Sequence, residues 1–124
     1  MNILHIALHC PSEKKADIFF NKILGLKQKK QFNISPSFSK LLFGIEKEIE
    51  VKLFSNSNVS FEIFITAIKP KITYEHVCLE VDDKKELIAK CKKYGIQTYI
   101  TKKNKKEYLF IKDYAGYFYE IKVL

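Results

Sequence analysis

The chain has 124 residues, 22 basic against 14 acidic side chains, a net charge of +8 and 47% apolar residues. That is one ordinary domain's length with enough apolar content for a packed core, which excludes a disordered chain. No apolar run approaches the ~20 residues of a membrane helix, and the opening segment lacks the basic stretch of a secretory leader, so no membrane partner is expected.

Residues 4–13 read LHIALHCPSE. Alternation puts Ile6, Leu8 and Cys10 on one strand face and His5, Ala7 and His9 on the other. Ser12 suits a helix N-cap, and Ala16, Phe19, Phe20, Ile23 and Leu24 recur at helical spacing before Gly25. Strands are expected near Lys27–Phe32, Glu48–Phe54 and Val59–Thr66. The stretch Ser35–Ile45 reads either as a short helix opened by Ser35-Pro36 or as a strand over Lys40–Phe43. Pro70 marks a linker.

The second half repeats the first. Residues 75–84 read EHVCLEVDDK, which aligns His76 with His5, Val77 with Ile6 and Leu79 with Leu8. Asp83 is the matching N-cap, Leu87, Ile88, Cys91 and Tyr94 the helical face, and Gly95 the stop. Strands are expected over Gln97–Thr101, Glu107–Lys112 and Tyr117–Val123, with Asp113-Tyr114-Ala115-Gly116 as a turn. Each half therefore reads β-α-β-β-β. A half of roughly 60 residues has a marginal core alone. Residues 1–68 and 73–124 are thus expected to be two modules of one α+β domain spanning 1–124, with a curled eight-stranded mixed sheet.

All the basic residues are lysines. They are scattered through every segment, and the densest run, Lys102 to Lys106, reads as a solvated hairpin tip around Asn104. Without arginine there is no guanidinium fork to read guanine edges, so no nucleic-acid partner is expected. Three cysteines, at 10, 78 and 91, form no CxxC pair, which fits free thiols in a reducing cytoplasm.

The chemistry sits on the strand faces turned away from the helices. His5 and His76 occupy them on the first strand of each half, and Glu62 and Glu120 on the last. If the sheets curl toward each other, these faces line a shared trough. Nitrogen and oxygen donors of this kind suit Zn, Ni, Mn, Co or Fe as divalent ions. The bland reading is that half-exposed strand faces simply carry polar residues. The repeat-related placement of the histidines speaks against it. His9 and Glu80 lie further along the same faces, as substrate contacts or as ordinary solvent-facing residues.

These residues resemble the vicinal oxygen chelate superfamily, which includes glyoxalase I, methylmalonyl-CoA epimerase, fosfomycin- and bleomycin-resistance proteins and extradiol dioxygenases. Three stretches carry the resemblance: His5–Leu8 with Ala16–Leu26, His76–Asp83, and Phe110–Glu120. Phe20 stands where the family usually has tyrosine, and Tyr114 replaces the proline of its D-P-x-G ending. The resemblance implies metal ligands at His5, His76 and Glu120 and a fourth at Glu62. Glu50 is a rival, since it follows His5 by 45 residues while Glu120 follows His76 by 44. It also implies a glyoxalase-like fold and a divalent-metal-dependent lyase or isomerase acting on a small carbonyl or hydroxy substrate, with Glu120 or Glu62 moving a proton. The alternative is a non-catalytic small-molecule or antibiotic-binding protein of the bleomycin-resistance type. A homodimer is expected. The missing arginine weakens a glutathione-dependent reaction, because a lysine offers an anion a point charge rather than a fork.

Overall fold

The computed structural model describes residues 2–72 and 75–123. Contacts divide the chain into two units, residues 1–69 and 70–124. The expected start of the second module, at residue 73, lies outside the described residues.

The first unit runs β1 (Ile6–Cys10), α1 (Glu13–Ala16, continued by a π-helical Asp17–Ile23), β2 (Lys27–Ile34), α2 (Pro36–Phe43), β3 (Ile49–Ser55) and β4 (Ser60–Ile65). Ser12 caps α1 by accepting from the Lys15 amide. The π-helical stretch lets consecutive Phe19 and Phe20 both turn inward, each 1% exposed. Phe20 stacks on Phe54 at 5.6 Å and tilts against Phe61 at 5.3 Å. Gly25, at φ +75°, ends the helix in a conformation that disfavours a side chain. Residues 36–43 are helical, because Ser35 caps, Pro36 fits the first turn, and Gly44 stops the helix at φ +72°.

The second unit runs β5 (Val77–Glu80), α3 (Lys84–Lys93), β6 (Gln97–Lys103), β7 (Lys106–Lys112) and β8 (Phe118–Lys122). Asp83 caps α3 through the Glu86 amide. Leu87 and Cys91 are buried, as are Leu109, Ile111, Tyr119 and Ile121 of the same unit. Asn104 and Lys105, at φ 52° and 63°, make the two-residue hairpin tip between β6 and β7.

The sheet orders are β1-β4-β3-β2 and β5-β8-β7-β6. Both are mixed, with one parallel pair (β1–β4, β5–β8) beside antiparallel neighbours. The fold is therefore α+β with two β-α-β-β-β modules. The expected single eight-stranded sheet is corrected to two four-stranded sheets. The first strand of each half spends its ladder on the last strand of the same half, so each sheet is complete within its module. Among the described residues, no helix is long and apolar enough to cross a membrane.

Candidate functional site

In the first unit, the parallel register pairs Ala7 with Glu62 and His9 with Phe64, so His5, His9 and Glu62 share a face. His5 Nε2 lies 3.7 Å from Glu62 Oε2. Glu50 is elsewhere. Glu62 pairs across the sheet with Leu53, so the next-but-two residue Glu50 points to the opposite, helix-covered face. There a hydrogen bond with Glu13 of α1, and then burial, raise the pKa of Glu50. The same bond, together with Lys52, lowers that of Glu13. Lys52 Nζ sits 3.3 Å from Glu13 Oε1. The structure thus brings Glu62, and not Glu50, to His5. Glu62 is the expected residue, and the 45-residue spacing that makes Glu50 its rival takes no account of helix α2 between β2 and β3.

His9 is anchored. Its Nδ1 is 2.9 Å from Thr66 Oγ1, Phe43 meets it edge-on at 4.8 Å, and Phe64 lies 5.9 Å away. Burial lowers its pKa, which favours the neutral imidazole. Phe64 belongs to an apolar cluster with Ile49 and Val51, flanked by Ile34 and Phe43. Helix α2 thus closes part of the face that carries the His5–Glu62 pair.

In the second unit, Cys78 and Glu120 are register partners, and His76 Nε2 lies 3.1 Å from Glu120 Oε2. Lys122 Nζ is 3.7 Å from Glu120 Oε1, and Phe110 meets the His76 ring edge-on at 5.4 Å. Burial, then the Glu120 charge, push the Cys78 thiol up, which disfavours a thiolate nucleophile. Cys10 and Cys91 are buried and form no disulfide.

Asp113 positions Glu120 from behind. Its Oδ1 accepts from the amides of Ala115, Gly116 and Tyr117 at 3.0, 2.9 and 2.9 Å, and its Oδ2 from the Tyr119 hydroxyl at 2.9 Å. These bonds fold the turn that launches β8 and lock its inward residue next to Glu120. Burial outweighs the four hydrogen bonds and raises the pKa to about 6.

Each pair offers one nitrogen and one oxygen donor of the kind a divalent ion takes. Two ligands bonded at ~2.0–2.2 Å on one ion lie roughly 3–3.5 Å apart. The second pair already stands at that separation; the first stands slightly wide of it. Within either unit, among the described residues, no third His, Cys, Asp or Glu joins the pair in a metal-holding group. Sequence reasoning missed that Tyr99 and Lys112 join Phe118 on the Glu120 face. Their contact spans three strands, which alternation along one strand does not reveal.

A sequence profile for the Glyoxalase/Bleomycin resistance protein/Dioxygenase superfamily matches residues 4–110. The chain belongs to that superfamily. No curated protein matches by sequence. Among solved structures, the glyoxalase family protein of Enterococcus faecalis superposes with a TM-score of 0.72 at 19% identity, covering 97% of this chain and 95% of that one. The fosfomycin resistance protein FosX of Listeria monocytogenes gives 0.73 at 14% identity, covering 100% and 93%. The trypanothione-dependent glyoxalase I of Leishmania major gives 0.72 at 19% identity, covering 98% and 85%. A variant of the Listeria protein, similar at a TM-score of 0.73 and 15% identity over 97% and 90% of the chains, is described in complex with Mn(II) and a dihydroxypropylphosphonic acid.

Proposed function

We propose that the protein is a divalent-metal-dependent lyase or isomerase acting on a small substrate that carries carbonyl or hydroxyl oxygens. One observation carries the reading: each unit presents a His–Glu pair at equivalent strand positions, at 3.7 Å and 3.1 Å. His5, Glu62, His76 and Glu120 are the proposed metal ligands, for Zn, Ni, Mn, Co or Fe. When bound, such an ion supplies Lewis-acid stabilisation of developing negative charge. Glu62 and Glu120 are the residues proposed to take or return a proton beside the carbonyl. Lys122 holds Glu120 Oε1, leaving Oε2 toward His76. The resemblance to glyoxalase I and to a Mn(II)-binding FosX supports the metal.

A second reading, a small-molecule binding protein without turnover, is favoured by the absence, among the described residues, of a third donor beside either pair. The expected homodimer has its best surface on α2, whose Phe38, Leu41 and Leu42 are exposed. Elemental analysis of purified protein tests the metal. Equimolar metal that is lost in His76→Ala supports the enzyme reading. Protein that stays metal-free after incubation with each of the five cations overturns it.

A further inference from the structure

The Glu120 face of the second unit carries a cluster the metal ligands do not use. Register sets Glu120, Phe110 and Tyr99 in one row across the sheet, and Phe118 and Lys112 in the next. Strand β7 runs between β6 and β8, so the backbones of Tyr99 and Phe118 are ~10 Å apart. Their ring centroids are nevertheless only 5.6 Å apart, so both rings lean over β7. Lys112 Nζ lies 4.8 Å from the Phe118 centroid and 5.7 Å from that of Tyr99. The Tyr99 hydroxyl donates to Gln97 Oε1 at 2.6 Å, which fixes the ring, yet Tyr99 remains 40% exposed. Among the described residues, no carboxylate pairs with Lys112. Its ammonium has ring faces beside it and N–H donors that the rings do not satisfy.

We propose that Lys112, Tyr99 and Phe118 form the recognition end of the ligand site and select a planar aromatic monocarboxylate. The carboxylate pairs with Lys112 Nζ, and the ring packs against Tyr99 and Phe118. An exposed Tyr99 ring and a half-buried Phe118 ring held at an angle of 56° accept a third ring by stacking or edge contact, which a puckered aliphatic ring does not match. One lysine compensates one charge. The Glu120 carboxylate in the neighbouring row repels a second, so a monoanion is preferred over a dianion. Lys112 stands two residues along and one strand across from Glu120, ~8 Å by strand geometry, which a single substituted benzene ring spans. The inference deepens the proposed function and rests on Glu120 and His76 being the reacting end.

The test is calorimetric titration of the full chain with benzoate, cyclohexanecarboxylate and benzyl alcohol, with metal content measured on the same samples. Benzoate is expected to bind about tenfold more tightly than either analogue. Lys112→Met is expected to lose about tenfold in benzoate affinity with its metal content unchanged, and Lys112→Arg to retain it. Retention by Lys112→Arg separates charge from folding, and amide shifts in Tyr99 and Phe118 locate the contact. Equal binding of benzoate and cyclohexanecarboxylate, or unchanged binding in Lys112→Met, overturns the inference. If the protein then still holds metal through His76, the metal reading stands alone. If benzoate discriminates through Lys112 in metal-free protein, the recognition end stands and the metal reading falls.

Discussion

The two units are built on one plan but surround their His–Glu pairs differently. In the second unit the pair is closer, 3.1 Å against 3.7 Å, and less exposed, with the side chains 33% and 12% accessible against 43% and 20%. Its carboxylate is also held by Lys122, while Asp113 fixes the turn ahead of it. In the first unit the neighbouring face is apolar and is closed by Phe43 from α2, a helix without a counterpart among the described residues of the second unit. The same strand positions therefore yield one pair with a polar brace and one beside a hydrophobic wall. The difference teaches that duplication fixed where the donors stand, and that the surrounding side chains set how firmly they are held.

The sharpest way to break this comparison is at the donors themselves. His76→Ala is expected to lower metal affinity by more than the roughly 100-fold that losing an outer-shell partner can cost. His5→Ala should lose less, because its pair is less preorganised. Glu62→Gln should follow His5→Ala, whereas Glu50→Gln should leave metal content unchanged, since Glu50 lies on the other face of β3. Elemental analysis and metal titration of the four variants decide it, and equal losses at both histidines would show the pairs to be equivalent.

The cores differ next. Phe20→Ala, at the centre of the first unit's aromatic stack, is expected to cost about 3–5 kcal/mol in urea unfolding. Cys91→Ala, the buried helix residue of the second unit, should cost only about 1 kcal/mol.

The pH effect of the second unit comes from Asp113. Burial holds the Asp113 carboxyl at about 6 in the folded chain against an ordinary 3.8, so the folded chain binds the proton more tightly than the unfolded chain. Below pH 4 both states are protonated and no penalty applies. Stability then falls as pH rises from about 4 to 6, by about 3 kcal/mol in all. Thermal unfolding across that range should show the decline, and Asp113→Asn should flatten it. Smallest are the caps: Ser12→Ala and Asp83→Ala should each cost about 1 kcal/mol, and unequal losses would reveal which unit relies more on its helix.

Much of the fold was legible in sequence because local chemistry repeats. Ser12 and Asp83 cap, Gly25 and Gly95 stop, and alternation puts His5 and Glu62 on one face and Glu120 on its own. What failed to show is non-local. The π-helical turn of α1 depends on two adjacent phenylalanines both finding room beneath the sheet. The division into two sheets depends on where ladders end, and the Tyr99–Lys112–Phe118 cluster on side chains leaning over an intervening strand.

The sheet orders also give the lysine surplus a use. Strands β2 and β6 each have one neighbour, so each offers a row of unpaired backbone groups to any strand that approaches. Every residue of β6 is exposed, and so is nearly all of β2. Lys27, Lys29 and Lys30 stand along one of these margins, and Lys102 and Lys103 along the other. A second chain laying its strand there would bring its own ammonium groups against these, and would strip water from both sets. The charge thus works as a guard against fibrillar stacking, one that acetylation or high salt would relax.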